Sequence, residues 1–188
     1  MLDPSRSDLL AGVAGSGTMG RGIVQVLARC GARVRVYDAQ AGAAAQAKDA
    51  IAKVLAGRVA KGRLAQADAD AALARIEIAD APAAFKDCHL VVEAIVEDLA
   101  VKQKLFRELE AIVGETCILA SNTSSLSVTA MAAACARPGR VAGYHFFNPV
   151  PLMRIVEVVD GELTEPWVGE ALAGLAQRFG HTAVRCKD

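Results

Sequence analysis

Three glycines at fixed spacing carry the first chemistry in this chain. Gly15-Ser16-Gly17-Thr18-Met19-Gly20 follows an apolar run, residues 9–14, that reads as a buried strand. Residues 21–30 then read as a helix. A second apolar run, residues 33–37, ends at Asp38. This is the order that a dinucleotide-binding βαβ unit requires. Gly15 permits a tight turn out of the strand, and Gly17 has no side chain to hold a pyrophosphate away. Gly20 lets the helix pack close to the sheet. The helix N-terminus offers free N–H groups and a positive dipole end to phosphates, so Ser16, Thr18 and Met19 join the glycines as cofactor-binding candidates. Asp38 suits the hydroxyls of an adenosine ribose, and its charge repels the extra phosphate of NADP. The expected cofactor is NAD. Glycines alone also mark ordinary turns and caps. Here strand, spacing, helix, second strand and acidic end all agree.

Four more clusters hold residue types that do chemistry. They are the segment 92–97 with Glu93 and Glu97, the Ser121-Asn122-Thr123-Ser124-Ser125 run, His145-Phe146-Phe147-Asn148-Pro149, and Glu157 inside the apolar run 155–159. Each has a plainer reading. A lone histidine is usually structural, Ser124 suits a helix N-cap, and Asn148 before Pro149 suits a turn. Glu97 and Lys102 read as a surface acid and a helix lysine. Glu157 alternates with Val156 and Val158 and so points away from them.

The elements that must position these groups alternate along the chain. Helices are expected over about residues 41–60, 66–74, 99–113, 128–135 and 165–178, the last capped by Gly180. Strands are expected at 76–79, 89–93, 117–120, 140–146, 155–159 and 183–185. In the helix 99–113, Val101, Leu105, Leu109 and Ile112 make the apolar face. The pattern predicts an α/β fold, a Rossmann-like doubly wound and mostly parallel sheet with helices on both faces. Such sheets bind ligands at the carboxyl ends of their strands, where the motif loops lie.

A chain of 188 residues suits one domain. Hydrophobic residues at 53% and aromatics at only 4% imply an aliphatic core, as in a buried parallel sheet. Lys+Arg and Asp+Glu both number 21, which gives no sign of a nucleic-acid partner. No apolar stretch reaches membrane-spanning length, and the first residues lack the apolar core of a signal peptide. The five cysteines are widely spaced and read as reduced apolar residues of a cytoplasmic protein, not as disulfides or a metal site.

Together the motifs resemble the L-3-hydroxyacyl-CoA dehydrogenase family over nearly the whole chain. Residues 91–97, 121–126 and 145–151 carry the resemblance, in that order. It implies NAD-dependent oxidation of (3S)-3-hydroxyacyl-CoA to 3-oxoacyl-CoA, in fatty-acid β-oxidation or phenylacetate-type breakdown. By position His145 is the catalytic base and Glu157 its partner. Imidazole titrates near working pH, and a carboxylate on its second nitrogen fixes the tautomer. Ser124 is implied to bind the reacting oxygen. The resemblance also implies that Asn122 and Asn148 lie near the nicotinamide and the reacting carbon. Glu97 and Lys102 match positions facing the nicotinamide ribose. Arg58, Lys61 and Arg63 form a basic cluster whose plain reading is a solvated helix face, and the resemblance makes Lys61 the candidate for the CoA phosphates. The family's second, all-helical domain carries dimerisation and part of the site. Residues 1–188 match its NAD-binding domain only, so a homodimer is expected through the other. A related hydroxy-acid or sugar-acid dehydrogenase, or an NAD-binding structural protein of the crystallin type, are the alternatives.

Overall fold

The computed structural model describes residues 1–188. Eight strands form one sheet in the order β3-β2-β1-β4-β5-β6-β7-β8. In chain order they are β1 (Leu10–Ala14), β2 (Arg33–Tyr37), β3 (Ile76–Ile78), β4 (Leu90–Glu93), β5 (Ile118–Ser121), β6 (Val141–Phe146), β7 (Ile155–Asp160) and β8 (Thr182–Lys187). The first six strands in spatial order are parallel, β7 is antiparallel to β6, and β8 is parallel to β7. The strand order reverses between β1 and β4. That switch point opens a crevice at the carboxyl edge of the sheet.

Six α-helices cover the sheet: α1 (Thr18–Arg29), α2 (Ala43–Ala60), α3 (Gln66–Ala74), α4 (Leu99–Ile112), α5 (Val128–Ala132) and α6 (Pro166–Arg178). Every residue of β1, β4 and β5 is buried, because helices lie on both faces. Alternation along β1 divides the core in two. Ala11 and Val13 join Ile23, Leu27, Ile51 and Leu172 beneath α1, α2 and α6. Leu10 and Ala14 join Phe85, Phe106, Leu109 and Met131 beneath α4 and α5.

Several boundaries differ from the sequence reading. Helix α1 begins at Thr18, so the last glycine of the loop already lies within its first turn. Helix α5 stops at Ala132, and β8 extends from Thr182 to Lys187. A short 3-10 turn at Pro82–Phe85, which the sequence reading lacks, packs Phe85 against Gly12 of β1. The buried stripe of α4 is Lys102, Phe106 and Leu109, while Val101 is exposed. Leu109 is buried and Leu105 and Ile112 pack against the same core, as the apolar pattern implied, but a lysine takes the core-facing position next to the exposed Val101.

Candidate active site

The glycine loop joins β1 to α1. Gly15 has φ +97°, and a Cβ there would lie 2.5 Å from the carbonyl oxygen of Ala94. A Cβ on Gly20 would lie 1.9 Å from the carbonyl oxygen of Gly15. These two glycines are therefore required by the fold itself. A Cβ on Gly17 would meet nothing within 4 Å. That space is open to a ligand. The first bond of α1 runs from Arg21 N–H to Gly17 C=O, and no side chain caps the helix. The N–H groups of residues 17–20 thus have no helix partner, which suits a pyrophosphate. Asp38, at the end of β2, accepts from the Ser16 N–H and hydroxyl at 2.7 and 2.6 Å and from Gln40 N–H at 2.9 Å. Burial pushes its carboxyl up, but these hydrogen bonds outweigh that and hold it below the ordinary aspartate value.

On the other side of the switch point, β6 and β7 place His145 and Glu157 directly opposite each other. His145 Nδ1 is 2.8 Å from Glu157 Oε2. Val156 and Val158 are fully buried beneath the sheet while Glu157 is partly exposed, as the alternation implied. The His145 ring lies 4.6 Å from that of Phe147. It lines a pocket of about 360 Å³ with Met19, Ile95, Glu97, Lys102, Asn122, Ser124, Phe147 and Asn148. With Nδ1 engaged by Glu157, Nε2 is the nitrogen left for a ligand.

Asn122 spans two strands: its N–H donates to Glu93 C=O and its Oδ1 accepts from Phe146 N–H at 2.9 Å. Its NH₂ group remains for a ligand. Ser124 is exposed, and its N–H donates to Glu97 Oε1 at 3.0 Å. The cap of α5 is Ser127, which accepts from Ala130 N–H. Ser124 is therefore not the N-cap, and the plainer reading of it falls.

Lys102 is not a surface lysine. It is 1% exposed, with Nζ 2.6 Å from Glu93 Oε1 and 3.2 Å from Glu97 Oε2. Glu93 is fully buried and also accepts from Ser121 Oγ at 2.6 Å and Ile95 N–H at 2.7 Å. Three donors satisfy this buried carboxylate, which an interior charge requires. Glu97 accepts from the Thr123 hydroxyl as well. Burial raises its carboxyl, yet Thr123, Ser124 and Lys102 together hold it below the ordinary glutamate value. The sequence reading assigned Glu93 no role, although an acid ending the apolar run Leu90-Val91-Val92 was a signal of a buried partner.

A second groove, about 630 Å³, adjoins the pocket and shares Asn148 with it. Thr18 and Gly22 of α1, the loop 149–152 and α2 line it. Its charged residues are Arg21, Lys53, Arg58, Lys61 and Arg63, with no carboxylate. The basic cluster thus faces a cavity and is not merely a solvated helix face. A Cβ on Gly22 would lie 2.8 Å from Val150 Cβ, so the small residue sets the close approach of α1 to that loop.

The family described as "3-hydroxyacyl-CoA dehydrogenase, NAD binding domain" matches residues 10–188. The chain belongs to that family. A "Probable 3-hydroxybutyryl-CoA dehydrogenase" of Deinococcus radiodurans is 43% identical over 94% of this chain and 63% of its own length. The "3-hydroxyadipyl-CoA dehydrogenase" of Escherichia coli is 43% identical over 93% of this chain and 37% of its own length. Among solved structures, 3-hydroxybutyryl-CoA dehydrogenase of Escherichia coli K12 superposes with a TM-score of 0.94 at 42% identity. That match covers 97% of this chain and 38% of the other. The chain thus spans less than two thirds of the length of these relatives. As an NAD-binding domain of the 3-hydroxyacyl-CoA dehydrogenase family, it takes NAD as its cofactor. The open space at Gly17 and the uncapped start of α1 fit that cofactor.

Proposed function

We propose that this chain is the cofactor-binding part of an enzyme that oxidises (3S)-3-hydroxyacyl-CoA to 3-oxoacyl-CoA with NAD. One observation carries the reading. The His145–Glu157 pair lies at a pocket that shares Asn148 with a neighbouring groove whose charged residues are all cationic. A long substrate with a reacting head and a phosphorylated tail fits that pair of cavities.

Bound NAD would supply the hydride acceptor for the substrate's C3. His145 Nε2 removes the hydroxyl proton as the hydride leaves, and Glu157 holds Nδ1–H and stabilises the imidazolium that forms. Ser124 hydrogen-bonds the reacting oxygen, and Asn148 lies beside the reacting carbon. The NH₂ of Asn122 would face the nicotinamide, and Glu97 and Lys102 its ribose. The backbone of residues 15–20 would hold the pyrophosphate, and Asp38 the adenosine ribose. Lys61 and its cationic neighbours hold the CoA phosphates.

The fatty-acid or phenylacetate-type degradation of the cytoplasm is the setting we assign, which agrees with cysteines that are all unpaired. Burial pushes the thiols of Cys88 and Cys135 up to about 12 and about 11, so they serve as packing residues. A helical second domain and a homodimer through it complete the proposal. Leu152, Met153 and Ile155 are exposed apolar residues next to the site and support a covering domain. A short hydroxy-acid or sugar-acid dehydrogenase would leave the cationic groove without a use. A structural protein would need no His–Glu pair.

The test is NADH oxidation with acetoacetyl-CoA, followed by absorbance, in this chain alone and in protein carrying the second domain. The longer protein should turn over and the chain alone should bind NADH but scarcely turn over, since half the substrate's positioning is lost. No turnover by the longer protein overturns the reading. Equal turnover by both removes the role given to the second domain.

A further inference from the structure

Oxidation of an alcohol by a nicotinamide moves a positive charge across the site. The ring carries one positive charge before hydride transfer and none after it. The hydroxyl proton puts one positive charge on the imidazole. On the imidazole side stands Glu157, 2.8 Å from His145 Nδ1. Glu97 and Lys102 line the same pocket as His145.

Glu97 belongs to a three-charge cluster. Lys102 Nζ bridges Glu93 Oε1 at 2.6 Å and Glu97 Oε2 at 3.2 Å. Two carboxylates share one ammonium, which leaves one negative charge uncompensated. Glu93 is sealed from solvent, its oxygens filled by Lys102, Ser121 and Ile95 N–H. Glu97 is 39% exposed, so it is the carboxylate through which the cluster's charge is felt in the pocket. Thr123 and the Ser124 N–H fix its orientation.

We propose that the uncompensated charge of the Glu93–Lys102–Glu97 cluster biases this site toward the oxidised, cationic form of the cofactor, with Glu97 setting the bias. This rests on the reading that the nicotinamide occupies this pocket. Each location of the mobile charge then has its own carboxylate. Glu97 favours the state before transfer, and Glu157 the state after it. The bias holds the oxidant and loosens the reduced product.

A unit charge about 6 Å from the ring, at an effective permittivity near 20 and screened by about 0.15 M salt, corresponds to roughly a tenfold change in relative affinity. The measured quantity is the Kd of NAD⁺ divided by the Kd of NADH. NADH fluorescence titration gives the one, and competition by NAD⁺ gives the other. Glu97→Gln should raise the ratio about tenfold, chiefly by weakening NAD⁺. Glu97→Asp keeps the charge and should move it less. Glu157→Gln, whose carboxylate lies behind His145, should also move it less than Glu97→Gln does. A ratio within twofold of wild type in Glu97→Gln overturns the proposal, as does an equal or larger shift in Glu157→Gln. If Glu97→Gln does not fold, salt serves instead. The wild-type ratio should rise as ionic strength is raised to about 0.5 M, and a flat ratio overturns the proposal. If wild-type protein binds neither form, the cofactor's placement has failed, not the charge argument.

Discussion

In the proposed function the protein meets its cofactor around the glycine loop with backbone. Gly17 leaves open space, the N–H groups of residues 17–20 stand free, and the Asp38 carboxylate accepts from Ser16. Around His145 it uses side chains from four segments: Glu97 after β4, Asn122 and Ser124 after β5, His145 in β6 and Glu157 in β7. The two regions face each other across the switch point between β1 and β4. In the proposed function the backbone region grips the part of a cofactor common to many reactions, and the side-chain region decides which reaction follows. They should therefore fail differently when altered.

The largest expected effect lies in the side-chain region. In protein carrying the second domain, His145→Ala should lower kcat by roughly 10²–10⁴-fold, the usual contribution of a positioned general base. NADH affinity, read by fluorescence, should scarcely change, because the glycine loop and Asp38 are untouched. Glu157→Gln should also lower kcat more than KM, since the imidazolium charge it balances develops only as the proton moves. Loss of NADH binding in His145→Ala would mean that the two regions are not separable.

The glycines sharpen the same contrast. Gly20→Ala places a methyl 1.9 Å from the Gly15 carbonyl oxygen and should destabilise the fold by about 3 kcal/mol. Gly17→Ala meets no protein atom within 4 Å, so stability should change by less than about 1 kcal/mol. Its NADH affinity should nonetheless fall, because the methyl enters the space assigned to the pyrophosphate. Thermal melts and fluorescence titrations on both variants separate the two roles. A Gly17→Ala protein with normal affinity would remove the pyrophosphate from that position.

Cofactor choice should respond more mildly. Asp38→Ala should narrow the preference for NADH over NADPH by about tenfold, the effect of one like charge near a phosphate at surface permittivity. Parallel titrations with both cofactors measure it. Equal affinities in the unaltered protein would refute the role given to Asp38.

The same contrast explains what the sequence disclosed. The nucleotide half was legible from local pattern, since the turn, the helix start and Asp38 follow one another within 24 residues. Pairing His145 with Glu157 needed only a chain reversal between neighbouring strands, and β6 and β7 supply it in register. The cluster beneath the site was not legible in this way. Lys102 sits at a core-facing position of α4 because Glu93 waits below it at the end of β4. Neither residue explains the other without tertiary contact, so a lysine in the buried stripe was not legible. Arg58 and its neighbours read as solvated for the same reason: the facing wall, residues 149–152, is distant in sequence.

The smallest effect tests how firmly the side-chain region is anchored. Asp188, following β8, accepts from the N–H groups of Val128 and Thr129 and from the Ser127 hydroxyl at the start of α5. It ties down the segment that leads from Ser124 into that helix. Burial raises its carboxyl, but the hydrogen bonds from Thr129, Ser127 and Val128 outweigh this and bring it from 3.8 to about 2. A carboxyl lowered in the folded state adds stability that is fully present above its ordinary value. That stability is lost as pH falls through the lowered value. Asp188→Asn should therefore destabilise the protein by about 1 kcal/mol near neutral pH, because a neutral amide cannot accept on both oxygens as the carboxylate does. The difference from wild type should shrink as pH falls from about 4 toward 2, where the aspartate is itself protonated. Urea denaturation across that range measures it. Two stability curves that stay parallel would show that the charge of Asp188 does not anchor the segment. NADH affinity should be the same in both proteins, because the backbone region lies outside the reach of this contact.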